Sequence, residues 1–149
     1  MWRRKLADMA TVASPLGPIA GREQVAQRAA DAMLRSLGAT RVTLRVAEAP
    51  IDSTSNQLGI ASGAFEDVVL FPVVVRSLAM AANETVKVEV LVSATAALTA
   101  ATARGIEDVT TWLLEAHGLL YQNKLLHIDS VIVDHFAGAE YLYHILASE

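Results

Sequence analysis

The chain has no cysteine, which excludes a disulfide scaffold, a thiolate zinc site and a cysteine nucleophile. Aromatic residues make up only 5% and charged residues 19% of it, the latter below the roughly 25% of ordinary soluble domains. It also lacks long apolar runs: the longest, Val68 to Val75, is far shorter than the about 20 residues a membrane-spanning helix needs. No membrane partner is expected. The start, MWRRKLADMATVASPLGPIA, is basic, but Asp8 interrupts it and no continuous apolar segment follows, so it reads as the start of a non-exported chain. The defining turns of nucleophile-elbow hydrolases, P-loop proteins and dinucleotide-binding proteins are missing, as is the helical zinc spacing HExxH.

What the chain has in excess is small apolar surface. Apolar residues reach 53% and mean hydropathy is +0.37 over 149 residues, a length that suits one domain able to bury a core unaided. Obligate subunit interfaces resemble a core cut in half, so the surplus points to a homo-oligomer. The plainer alternative is that alanine inflates the figure. Charge is unevenly placed as well. Residues 1–45 hold eight Lys or Arg against three Asp or Glu, a net +5, while residues 46–149 hold four against thirteen, a net −9. Such asymmetry suits contact between a basic arm and an acidic surface, and a pI of about 5.5 argues against a whole-domain nucleic-acid binder.

Periodicity divides the chain into an N-terminal arm, residues 1–20, and a single α+β domain, residues 21–149, with a long loop at 50–64. In the arm, Trp2, Leu6 and Met9 recur at helical spacing beside Arg3, Arg4 and Lys5, before the Pro-rich connector Ser14 to Pro18. A helix follows from Gly21 to Leu37, with Val25, Ala29, Ala32, Met33 and Leu37 as its core stripe and Gly38 as C-cap. Val42, Leu44 and Val46 then alternate with Arg41, Thr43 and Arg45, the pattern of a strand with one wet face. Arg41 and Arg45 could grip an acidic partner or phosphate, but a solvated face is the simpler reading.

The loop PIDSTSNQLGIASG, Pro50 to Gly63, exceeds ordinary connections. Its residues Asp52, Ser53, Thr54, Ser55 and Asn56, with the apolar anchors Leu58 and Ile60, are candidate contact residues, as are Trp2, Arg3, Arg4 and Lys5 of the arm. Pro72 interrupts the β-branched run after Phe65 and marks an edge, a bulge or a break; an apolar edge there would suit a subunit contact. Val86, Val88, Val90 and Val92 alternate in the next strand, expected to pair antiparallel with the Pro72 strand. Ser93 is an N-cap for an Ala/Thr-rich helix ending at Gly105. A second short helix, Ile106 to His117, carries Ile106, Val109, Leu113 and Leu114 inward and ends at a Gly118 cap, while Trp112 lies off that stripe and could cover an interface, with partial burial in the core the simpler reading. Leu119 to Glu149 reads as three strands with tight turns near Asn123-Lys124 and Gly138. The expected fold is an antiparallel β-barrel, or strongly curved sheet, of about six strands with an N-terminal helix and two short helices between strands.

Only histidines and carboxylates offer chemistry. His127 and Asp129 alternate on one strand, Asp134 and His135 lie at its end, and His144 is on the next. Such a group could bind zinc or supply a base in a small ligand-binding or hydrolytic barrel. Without a recognised spacing, a solvated or structural role for His127, Asp129 and His135 is preferred, and no cofactor is implied.

The run KVEVLVSA, Lys87 to Ala94, and the segment NKLLHIDSVIVDHFAGAEYLYHILASE, Asn123 to Glu149, resemble small neck proteins of tailed bacteriophages, the head-closure or head–tail joining class. Asn123 stands where such turns usually have glycine, and asparagine also visits positive φ. The resemblance implies a non-enzymatic virion protein, assembled in the host cytoplasm as a homo-oligomeric ring that docks on portal, adaptor or tail proteins and passes DNA without reading its sequence. A tail terminator or another minor virion protein is the neighbouring possibility. An acidic balance suits a conduit along which DNA slides without sticking.

Overall fold

A computed structural model describes residues 19–48, 64–78 and 86–149. Helix α1 (Ile19–Ser36) precedes strands β1 (Thr40–Ala47), β2 (Phe65–Ser77) and β3 (Lys87–Ser93). Helices α2 (Ala94–Thr102) and α3 (Val109–Glu115) follow, and β4 (Gly118–Tyr121), β5 (Lys124–Phe136) and β6 (Ala139–Ser148) complete the chain. The six strands close an antiparallel barrel in the order β1-β2-β3-β6-β5-β4, with β4 returning to β1. The expected architecture is therefore present, and α1 begins at Ile19, two residues inside the stretch assigned to the arm.

Strand alternation builds the barrel interior. Val42, Leu44 and Val46 of β1, Val68, Leu70 and Val73 of β2, and Val88, Val90 and Val92 of β3 point inward. Leu119, Leu126, Ile128, Tyr143, Ile145 and Ala147 come from the other three strands. A six-stranded barrel is narrow enough for side chains to fill it. Helices α2 and α3 join the same core through Ala94, Ala97 and Ala101 and through Val109, Trp112 and Leu113, closing the end where β3 finishes and β4 begins.

The turn chemistry follows the sequence. Gln122 and Asn123 both have positive φ (50° and 63°), as do Ala137 and Gly138 (52° and 83°), the geometry that matches the twist of tight hairpins. Ser93 is fully buried and its hydroxyl accepts from Ala96 N at 3.2 Å, capping α2. At Pro72 the alternatives resolve to a bulge: Thr40 pairs with Val73 but Val42 with Leu70, so β2 carries one extra residue where the prolyl nitrogen has no proton to give. The Phe71–Pro72 peptide is cis. Pro72 itself is buried.

Four expectations need correction. The stripe Val25, Ala29, Ala32, Met33 and Leu37 is exposed, and α1 instead buries Ala30 and Leu34. Leu34 joins Leu91 and Leu142 on the outside of the barrel, with Val74 and Tyr141 beside them. Leu91, on the strand's wet face by alternation, has α1 over it. The second short helix starts at Val109, because the Asp108 side chain accepts from Thr111 N and acts as its N-cap. Leu114 is 46% exposed rather than inward, while Trp112 is buried in the core as expected. His117 and Gly118 are not a helix end: His117 N donates to Arg45 O at 2.8 Å, leading directly into β4. Gly118 is required there by closeness, since a Cβ on it would lie 2.6 Å from Leu126 O.

Candidate functional site

The candidate histidines and aspartates lie along β5 and β6, where strand geometry spreads them. Eight residues separate His127 from His135, about 26 Å of extended chain. His127 is exposed opposite Ser148, and Asp129 sits in a bulge between Ile128 and Ser130, accepting from Ser148 Oγ at 3.0 Å. His135 is exposed with Nε2 4.0 Å from Glu140. Among the described residues, no three His, Asp or Glu side chains converge to hold a metal ion.

One member of the group does acquire partners. His144 Nδ1 lies 2.8 Å from Glu89 Oε1, and its Nε2 lies 2.9 Å from Asp134 Oδ2. Both partners are acceptors when ionised, so only the imidazolium can donate to both at once. Arg76 pairs with the other oxygen of Glu89, and Tyr141 Oη is 3.5 Å from Asp134. The network ties β2, β3, β6 and β5 together across the outer wall. Burial opposes the charge on His144, but the hydrogen bonds to Glu89 and Asp134 outweigh it and raise its pKa above 6.5. The His144 hydrogen bond in turn lowers Glu89 below 4.5. No local pattern points to Glu89 or Arg76, because their nearness to His144 depends on barrel register alone.

Arg41 and Arg45 do not act as a pair. Arg45 forks onto Asp67 with two hydrogen bonds of 2.8 Å, whereas the Arg41 guanidinium lies 5.4 Å from the centre of the Phe71 ring, which Arg35 also approaches at 4.9 Å. These arginines are held by their own chain. The contact candidates Trp2, Arg3, Arg4, Lys5, Asp52, Ser53, Thr54, Ser55, Asn56, Leu58 and Ile60 lie outside the described residues.

Among the described residues, exposed apolar side chains cluster at two places on the exterior that matter here. The first is a groove of about 340 Å³ formed by Val25, Ala26, Ala29 and Met33 of α1 with Phe136 and Tyr141 of the last hairpin. Val25 is 64% and Phe136 51% exposed. The second is a row across four strands, in which Leu125 pairs with Leu120, Leu120 with Thr43 and Thr43 with Val69. Alternation puts all four outside; Val69 is 58% and Leu125 42% exposed, while Leu120 and the polar Thr43 between them are half-buried.

Comparison with protein-family models, with curated proteins and with solved structures finds no match.

Proposed function

We propose that this chain is a non-enzymatic structural subunit that assembles with copies of itself into a ring, and that the ring is a connector at the head–tail junction of a tailed bacteriophage. The observation that carries the assembly part is the placement of apolar side chains outside a barrel that is already filled. Val25, Met33 and Phe136 on one side, with Val69 and Leu125 on another, stay exposed although β-branched and aliphatic residues pack the interior. Contiguous apolar surface of this kind marks an interaction site.

The phage assignment rests on the resemblance of Lys87 to Ala94 and Asn123 to Glu149 to neck proteins. The closed barrel with a flanking helix supplies a rigid body for such a part. In this reading portal, adaptor or tail proteins are the partners, and the net charge of −4 lets DNA pass through with little counterion-releasing contact. The loop Pro50 to Gly63 and the basic arm are the docking elements toward the other layers.

Light scattering coupled to size exclusion, followed by imaging of the particles, tests the first part: multiples of 15.9 kDa in closed rings are expected, and a monomer at every concentration would sink it. Deletion of Asp52 to Asn56 tests the loop. Ring formation should survive while binding to a purified portal or tail protein is lost; binding unchanged to both would remove the loop from the proposal.

A further inference from the structure

A cleft of about 430 Å³ opens between α1, β2 and α2. Its lining includes Asp31 and Arg35 of α1, Phe71 and Pro72 of β2, and Arg104 just past the end of α2. Asp31 and Arg35 stand one helical turn apart with the acid on the N-terminal side, the spacing and order in which opposite charges on a helix ordinarily pair. In this chain they stay apart. The Arg35 guanidinium lies 4.9 Å from the centre of the Phe71 ring, and Oδ1 of Asp31 is buried without a hydrogen-bond partner. Nε of Arg104 is buried without one as well, although its other two nitrogens donate to Ala100 O and to the Glu66 carboxylate. Among the described residues these are the two buried side-chain polar atoms left unmatched, and both residues line this one cleft.

Buried polar atoms are ordinarily satisfied, so a leftover acceptor and a leftover donor at one place call for a ligand that offers both. The remaining charges at the cleft are already paired, Asp67 with Arg45 and Arg104 with Glu66. What stays open is one carboxylate and, beside it, guanidinium nitrogens with hydrogen to donate. A simple anion would answer the arginines and leave Asp31 buried next to like charge; a simple cation would do the reverse.

We propose that the cleft binds a small zwitterion, an α-amino acid with an apolar side chain, its ammonium on Asp31 and its carboxylate on Arg35 and on Nε of Arg104. Four residues of helical rise set Asp31 and Arg35 about 6 Å apart along the axis, a span that one amino acid with a hydrogen bond at each end covers. Phe71 and Pro72 on one wall and Ala96 and Ala100 on the other receive the apolar body, and the alanines, which stop at Cβ, leave it width. The volume falls within the range of small-molecule sites. This site is independent of the ring reading, which draws on other surfaces.

The test is titration of the full chain with L-leucine and, separately, with L-phenylalanine, followed through backbone amide chemical shifts. Saturable changes are expected at Asp31, Phe71, Thr95 and Ala96, all in the lining. Isoamylamine, which lacks the carboxylate of leucine, and isocaproate, which lacks its ammonium, should each bind at least about tenfold more weakly, because each leaves a buried charged group unmatched. Asp31→Asn and Arg35→Gln should each weaken amino-acid binding by a similar factor without loss of melting temperature, since neither side chain makes an ion pair within the chain. Absence of saturable shifts with both amino acids would overturn the inference. So would isocaproate binding as tightly as leucine, the mark of a plain anion site, or either variant binding as the unmodified chain does.

Discussion

The imidazole of His144 and the carboxylate of Glu89 face each other across neighbouring strands at 2.8 Å, although 55 residues separate them in the chain. The barrel places Asp134 on the other ring nitrogen at 2.9 Å and Arg76 behind Glu89. The sign of the pH response follows. His144 is raised above 6.5, so its contribution is fully present below that value and is lost as pH rises through its folded-state pKa. Glu89 is lowered below 4.5, so its contribution is present above that value and is lost as pH falls through its own folded-state pKa. Thermal stability should therefore be greatest between about pH 4.5 and 6.5 in the share due to this network. Replacing His144 by Gln should flatten the decline on the alkaline side in a series of melting curves. Both groups are partly solvated, so the effect should shrink as salt is raised; a decline unchanged in the variant would place its cause elsewhere.

Leu34 and Met33 are neighbours in α1 with opposite surroundings, fully buried and 42% exposed respectively. Leu34→Ala should cost about 2–4 kcal/mol through the lost contacts and the cavity left on Leu91 and Leu142. Met33→Ala should change monomer stability by less than about 0.5 kcal/mol and weaken self-association instead. Denaturant unfolding and concentration-dependent light scattering, run on both variants, separate the two effects.

Gly118 admits no side chain. A methyl group there would meet the Leu126 carbonyl oxygen at 2.6 Å, inside the β4–β5 pairing. The obstacle is backbone, which cannot rotate away. Gly118→Ala should lower stability by about 2 kcal/mol or more, read as a lower denaturation midpoint. Gly138→Ala, with open space around it, should cost only the strain of its left-handed φ, about 1 kcal/mol.

Tyr143 is fully buried and donates its hydroxyl hydrogen bond to Glu140. Burial, then the Glu140 hydrogen bond and charge, push the phenol well above its ordinary value of 10. In a spectrophotometric alkaline titration Tyr143 should stay un-ionised while the folded barrel persists. Tyr143→Phe should leave the absorbance change near pH 10 unaltered and lower stability by about 1–2 kcal/mol, the cost of stranding the carboxylate partner.

Removing the buried Ser93 hydroxyl, which caps α2 through Ala96 N, should cost about 1 kcal/mol. Ser93→Thr keeps an acceptor oxygen at the cap, and recovery of melting temperature in that variant would identify the cap as the cause.

The barrel itself was legible in the sequence because strand alternation is local: Val42, Leu44 and Val46, or Val88, Val90 and Val92, declare an inner face with no knowledge of their partners. The Ser93 cap and the two hairpin turns were equally local, fixed by side-chain oxygen and φ preferences within a few residues. The face of α1 was not, since a helix with alanine and larger apolar residues on more than one side can bury either stripe. Leu34 prevails over Met33 only because Leu91 and Leu142 stand beneath it. The start of α3 at Val109 also turned on competition between neighbours, with Asp108 bonded to Thr111 and unable to continue the helix backward.

Among the candidate residues the division is the same. The sequence determined that histidine and carboxylate were the side chains on hand to build a site and that the four histidines all lie between residues 117 and 144, because composition and spacing are properties of the chain. Tertiary structure decided which of them meet. An extended strand holds His127 and His135 far apart, whereas barrel closure brings Glu89 and Arg76, from strands much earlier in the chain, onto His144. It also decided that α1 covers β3 and β6, across the closed sheet from β4 and β1, a relationship set by the angular order of strands around the barrel, which no local pattern encodes.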